Sequence, residues 1–370
     1  MEFEFAVIGG GIAGSTLTYE LIKRKKSVIL FDNENEKATT VAGGLINPIM
    51  GRKMNTAWKE PEIFEFSIQY YKDIEKNVNC SFLEEKPIFR PFTTKTQKEE
   101  ILLKMKKDKN IQNFILSIKG GKIYDFSSDN DGGMLTKGAV VNTTSYIETI
   151  REYFIKNNAY IKAEINENTI QISEQSFKIK AFKFKKLIFT RGYKEITTNL
   201  FSYLPFRPAK GEMLILEIKG LNLRETYNRH ISLIPLKNNK FYLGGTYEWK
   251  NLDTSTNEWA KEELIAKLKK ITNLSYSIIQ HKAHVRPSTL DREPFLGEHP
   301  KYRNIFILNG LGTRGISMAP YLSQSIIDYI EKKSNLPSHY DIYRYANFYK
   351  ETNNFFAIYL NLEKNNIMLK

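Results

Sequence analysis

The sequence predicts an α/β fold in two parts, a nucleotide-binding parallel sheet and a smaller antiparallel sheet, each assembled from separated stretches of chain. Three observations predict it. A strand, glycine turn, helix and second strand occupy residues 4–32. Another strand, glycine turn and helix recur at residues 304–330. Between them, at residues 205–249, apolar runs are joined by short polar turns. At 370 residues and 41% hydrophobic content, the chain can bury two such cores.

Residues 4–8 (EFAVI) form a short β-rich apolar run suited to a strand buried on both faces. Gly9, Gly10, Gly11, Ile12, Ala13 and Gly14 then match G-x-G-x-x-G. The helix that follows carries Leu17, Leu21 and Ile22 on one face and basic residues 23–26 at its end. A second apolar run at 27–31 ends in Asp32. Gly9 permits the tight turn, Gly11 lets the backbone approach a pyrophosphate, and Gly14 lets the helix pack on the strand. The helix start, at Ile12 and Ala13, offers free N–H groups to phosphates. Asp32 is placed to bind a ribose, which favours NAD or FAD over NADP. The alternative, a plain glycine turn, does not explain an acid at the end of the second strand.

Two later segments decide between a nicotinamide and a flavin. Residues 38–52 are glycine-rich and apolar with no helical or strand period, and Gly43, Gly44 and Leu45 suit a backbone lying against a flat ring. Residues 304–309 read as a strand, followed by Gly310, Gly312, Thr313, Arg314, Gly315 and Ile316 and a helix with Leu322, Ile326, Ile327 and Ile330 inward. The paired glycine loops predict FAD.

The middle of the chain is different. Residues 205–217, 232–236 and 241–249 read as strands of an antiparallel sheet roofing the cofactor, and residues 81–135 are expected to add more. Helices are expected at 143–157 and 259–271. Residues 187–192 return to the nucleotide sheet, with Gly192 beside the cofactor and the bulky Arg191 unexplained there. The domain limits that follow are 1–80, 136–200 and 280–335 for the Rossmann-like FAD-binding domain, 81–135 and 201–279 for the α+β substrate domain, and 336–370 for an aromatic, helical tail.

Composition removes several classes. The single cysteine, Cys80, excludes an intramolecular disulfide and a cysteine-rich metal site, and no metal-ligand pattern occurs. No apolar run spans a bilayer and the N-terminal residues lack signal-peptide features, so a cytoplasmic location is expected. The net charge of +14 collects in clusters at 23–26, 104–109, 183–186 and 267–270. A polyanion such as tRNA could use them; a solvated, lysine-rich surface is the plainer reading.

Residues 9–14 with Asp32, the 42–48 loop, Val285-Arg286-Pro287 with Asp291 and Pro294, and residues 310–320 together resemble the D-amino-acid oxidase (glycine oxidase, sarcosine oxidase) family of FAD-dependent oxidoreductases, over roughly residues 4–332. The wording Gly-Leu-Gly-Thr-Arg-Gly followed by Ala-Pro is also similar to the oxidase half of the enzyme that matures 5-carboxymethylaminomethyl-uridine in tRNA. The resemblance implies oxidation of the C–N bond of a small amino acid or secondary amine by hydride transfer to flavin N5, giving an imine that hydrolyses. It implies Arg286 as the carboxylate-binding cation, against a structural pairing with Asp291 or Glu293. Arg314 is expected to reach substrate or flavin, or else the surface. Tyr247, Trp249 and Arg52 are pocket candidates, with Lys53, Tyr227 and His230 behind them. Two alternatives stay open, a tRNA-modifying oxidase removing a carboxymethyl group and a flavin-binding protein without turnover. Oligomeric state is not predicted.

Overall fold

The computed structural model describes residues 1–51, 54–59, 61–173 and 176–349. The first strand, Glu2–Ile8, lies at the centre of a mainly parallel sheet. Val28–Asp32 and then Tyr160–Lys162 pair on one side of it. Phe182–Phe189 and then Ile305–Asn309 pair on the other, with Val7 opposite Ile188 and Leu187 opposite Ile305. Strand alternation sends neighbouring side chains to opposite faces. Phe5, Val7, Leu30, Ile188 and Leu308 meet Leu17, Ile150, Leu322 and Ile326 of the covering helices. Ala6, Ile8, Phe31, Leu187 and Ile307 build a second core on the other face. Each such side chain contributes about 1.5–3 kcal/mol on burial, which is why these strands read as continuous apolar runs.

The helices follow from local chemistry. Ile12–Lys23 begins at Gly11. Thr143–Lys156 is capped by the Asn142 side chain, which accepts from Ser145 N–H at 3.1 Å. Gly315–Ile330 contains Pro320, which has no N–H to offer the Ile316 carbonyl one turn back. The Tyr71 hydroxyl donates to that carbonyl at 2.6 Å instead. Tyr71 lies on Ile63–Val78, a helix absent from the expectations above, which buries Ile63, Phe64, Ile68 and Ile74 in the same core.

The second sheet runs in the order Tyr276–Arg286, Ala209–Ile218, Lys240–Gly244, Ser232–Pro235, Thr226–Asn228, Ile88–Pro91, Gly133–Thr136, Ile115–Lys119. It is antiparallel except where Thr226–Asn228 meets Ile88–Pro91 in parallel. Strands from 81–135 join it, together with a helix, Lys95–Lys107, that the apolar pattern did not announce. The Tyr276–Arg286 strand runs across the expected limit at 279/280, and this puts Arg286 at the end of the second sheet. Among the described residues, no helix is long and apolar enough to cross a membrane.

The tail packs back on the body. Arg344 and the Tyr345 hydroxyl bind Asp291 at 3.0 and 2.7 Å, and Tyr349 packs on the Tyr203 and His299 rings. A short 3-10 turn, Ile342–Tyr345, stands in that part of the expected helical tail. Phe355, Phe356 and Tyr359 lie outside the described residues.

His299 makes folding pH-dependent. Its Nε2–H donates to Leu200 O, while Nδ1 accepts from Lys301 and Tyr302 N–H. Burial pulls its pKa down to about 4. The unfolded chain takes up that proton near 6.5, so this stability is whole above 6.5 and lost as pH falls towards 4, on the order of 3 kcal/mol in all. Urea unfolding between pH 7 and 4 should therefore show a fall in stability that is shallower in His299→Asn. In Tyr71→Phe, the Ile316 carbonyl loses its donor, and the same assay at pH 7 should give a loss of about 1–3 kcal/mol.

Candidate active site

The turn after the first strand is set by backbone packing. Gly9 has φ +111°, and a Cβ there would sit 2.8 Å from Thr190 O. A Cβ on Gly14 would sit 1.8 Å from Gly9 O. Thr190 Oγ1 donates to Ile8 O and Gly9 O, drawing the end of the Phe182–Phe189 strand onto the turn. Asp32 accepts from Gly10 N–H at 3.2 Å and pairs with Lys37 at 3.0 Å. Thr39 Oγ1 accepts from Ile12 N–H at 2.9 Å. The helix start carries no side-chain cap and no acid in its first turn, so nothing there opposes an anion. Arg191 is accounted for as well: its guanidinium forks onto the buried Glu195 at 2.9 and 3.1 Å.

A cavity of about 1600 Å³ opens above this turn. Pockets for a single drug-sized ligand occupy roughly 300–1,000 Å³, so the space suits a dinucleotide with a substrate beside it. Its walls include Gly9, Gly11, Ile12, Ala13, Asp32, Gly43, Gly44, Leu45, Gly192, Gly312, Thr313, Gly315 and Ile316. Gly14 and Gly310 do not reach it. Gly14 packs beneath Gly9, and Gly310, at φ +75°, turns the chain beside Thr289 and Phe295. The second helix start, at Gly315, likewise carries no acid in its first turn.

Eight lysines and arginines line the cavity: Lys37, Arg90, Arg191, Lys194, Arg229, Lys267, Arg286 and Arg314. Six have a carboxylate within ion-pair reach, supplied by Asp32, Glu195, Glu164, Asp129, Glu263 and Glu293. Among the described residues, Arg286 and Arg90 have none. Asp291 and Glu293, the alternative partners for Arg286, are engaged by Arg344, and by Lys59 and Arg314. Arg286 Nη1 donates to Thr246 O at 2.9 Å, and its guanidinium lies 4.6 Å from the Tyr247 ring centre. It occupies a slot that only glycines leave open, since a Cβ on Gly211 or Gly245 would come within 2.0 or 2.6 Å of it.

The other candidates separate. Arg314 lines the cavity, but its guanidinium is tied to Ala57 O at 2.8 Å, to Arg292 O, and to Glu293 at 3.8 Å. It clamps two loops. Tyr247 is in the wall. Trp249 is not: it stacks on the outer side of the site against Tyr247, centroids 5.9 Å apart, and is 56% exposed. Tyr227 is core, its hydroxyl bound to Ser127 and Asp129 at 2.7 Å, whereas His230 is in the wall. Arg52 and Lys53 lie outside the described residues. Residues the motif reading passed over include Arg90, Tyr242 and His284. Burial pushes the Tyr242 phenol up, against the opposing pull of Arg286. Burial pulls His284 down; its Nδ1 accepts from Val285 N–H, so Nε2 carries the proton to Glu36 O.

The same chain matches the DAO family of FAD-dependent oxidoreductases over residues 4–329. The chain belongs to this family. It is 23% identical to glycine oxidase from Bacillus licheniformis over 355 residues, 89% of this chain and 93% of that protein. It is 19% identical to the tRNA 5-methylaminomethyl-2-thiouridine biosynthesis bifunctional protein MnmC of Actinobacillus pleuropneumoniae serotype 5b, over 88% of this chain but 55% of that protein. The crystal structure of glycine oxidase from Bacillus cereus superposes with a TM-score of 0.73 at 18% identity, covering 90% and 96% of the two chains.

This FAD-dependent oxidoreductase has a cradle that fits its cofactor. The anion-facing helix starts are free of acids, and a Cβ at Gly11 would meet only Thr39 Oγ1, at 3.5 Å, before entering the cavity. Gly11→Ala should therefore fold with near-native stability and retain much less FAD, read as flavin absorbance of the purified protein. Gly14→Ala, whose Cβ meets backbone, should lose stability and flavin together.

Proposed function

We propose that this oxidoreductase oxidises the C–N bond of an amine that carries a carboxylate. The observation behind the proposal is Arg286, a cavity-wall guanidinium in a glycine-lined slot with no acidic partner. A half-buried cation that no carboxylate among the described residues neutralises calls for an anionic ligand, and the guanidinium fork matches a carboxylate.

The residues divide accordingly. When FAD is bound, Gly9, Gly11, Ile12 and Ala13 would hold its pyrophosphate, Asp32 its ribose, and Gly43, Gly44 and Leu45 its ring. Gly312, Thr313, Gly315 and Ile316 bring a helix start to where negative charge develops on reduction. Bound FAD supplies the two-electron acceptor for the hydride leaving the substrate carbon. Arg286 fixes the carboxylate and so the face that carbon presents, and Tyr247 supports the guanidinium from behind. No side-chain base is required for the hydride step, because an amine with its nitrogen lone pair free becomes an iminium ion on losing hydride, and the iminium gives up its N–H proton to water to become the imine. Water then hydrolyses that imine to a carbonyl product and an amine.

A second reading, oxidation of a carboxymethylated wobble uridine in tRNA, has the similarity to MnmC and the +14 charge in its favour. Anaerobic flavin bleaching separates the two. Bleaching by free amino acids or N-substituted glycines supports the first, and bleaching by modified tRNA alone the second. A flavin that no amine reduces would leave a binding protein without turnover. In Arg286→Gln, kcat/KM for a carboxylated amine should fall by about 10–100-fold or more, chiefly through KM, from the lost charge-assisted pair. Gly245→Ala should act in the same direction by displacing the guanidinium.

A further inference from the structure

Among the described residues, Arg90 is the other cavity cation without a carboxylate. It lies on Ile88–Pro91, in the second sheet, and its Nη1 and Nη2 donate to Ile49 O and Gly51 O. Both are neutral carbonyls, and they engage two of the five guanidinium donors. Burial brings its pKa down to about 10, so it remains charged at neutral pH. The cavity wall also carries Met134, opposite Arg90 on the next strand, and Met50, Met54, Phe92 and Ile101, with Thr93 and Gln97 as polar neighbours. None of these residues belongs to the glycine turns that cradle the cofactor. The first five are apolar and three are methionines, which adapt to irregular shapes.

Arg90 and Arg286 are far apart on one sheet. The strands that carry them are separated by five interstrand steps, and at about 4.8 Å per step that is up to roughly 24 Å along the sheet surface. A small amino acid with a single carboxylate held by Arg286 brings no second anion to Arg90. We infer that Arg90 is an anion subsite, binding a carboxylate or phosphate group at the remote end of an elongated substrate whose spacer lies along the methionine-lined wall. The inference deepens the amine-oxidation reading, on which the identity of the ligand's other end rests. A surface cation could be left to water; one in a cavity wall beside apolar side chains, where six other described cations are all paired, is matched by an anion brought in from outside.

The test is equilibrium binding to the purified holoenzyme by calorimetry, without turnover. The probes are straight-chain α,ω-dicarboxylates of increasing length, up to and beyond the span between the arginines, and monocarboxylates of equal length. Beyond a threshold length the dicarboxylate should bind at least about 10-fold tighter than its monocarboxylate. That ratio should fall to about 1 in Arg90→Gln and be partly restored in Arg90→Lys, which keeps the charge without the fork. Inorganic phosphate distinguishes the source of the anion. If it binds the wild type but not Arg90→Gln and no dicarboxylate gains from length, the subsite takes a separate small anion. If wild type and Arg90→Gln give the same ratios and the same phosphate affinity, Arg90 only clamps the loop at residues 49–51 and the inference is overturned. Because no oxidation is measured, a holoenzyme that fails to oxidise amines yet shows the length threshold sinks the functional reading and leaves the subsite standing.

Discussion

The fold depends on a contact between backbones at the end of the first strand. Gly9, Gly14 and Thr190 approach so closely that no side chain fits between turn, helix and neighbouring strand. Thr190 fastens that approach from residue 190, more than 180 positions along the chain, through its hydroxyl bonds to Ile8 O and Gly9 O. This proximity aims the Ile12–Lys23 helix start into the cavity and brings Gly192 to its rim. The dipole and free N–H groups of a helix act over a turn or so, so a small retreat of the helix would remove them from an anion's reach.

The second sheet is held over this cradle by equally specific contacts. A Cβ on Gly43 would collide with Tyr242 and Ile234, so the loop that leaves the nucleotide sheet lies directly against the roof. His284 and Lys282, near the end of the Arg286 strand, reach back to the Glu36 backbone and side chain. The wall behind Arg286 is braced by the buried Glu212, which binds Asn257 at 2.6 Å and His281 at 2.7 Å and anchors Thr246 through its N–H. Arg286 is thus positioned by glycines that leave it room and by a charged network that keeps the room from closing. Its own hydrogen bond, to Thr246 O, leaves the rest of the fork available.

Much of the nucleotide half was legible because its signals are local. Residues 9–14 and Asp32 state their chemistry through spacing, and the buried strands announce themselves as apolar runs. The Ile63–Val78 helix is less legible although its apolar period is regular, because it has no side-chain cap to mark its start. Arg314 illustrates the opposite error: its place in a cofactor loop suggested a ligand contact, but Ala57, Arg292 and Glu293 claim its guanidinium. Trp249 lies past the end of the Lys240–Gly244 strand, stacked on Tyr247 and exposed, a placement that a list of aromatics does not contain.

By itself the sequence determined the cofactor class and the buried strands of the nucleotide sheet, since glycine spacing and apolar periodicity are properties of neighbouring residues, whereas the Tyr276–Arg286 strand went unread. Tertiary structure alone decided which charges are free. Whether an arginine is neutralised depends on carboxylates that arrive from distant segments, as Asp291 does for Arg344 and Asp129 for Arg229. Arg286 is marked in the sequence only by a motif resemblance, and Arg90 looks there like any other of the 55 lysines and arginines. Only the folded chain, by pairing the remaining cations of the cavity wall, leaves these two facing it unmatched.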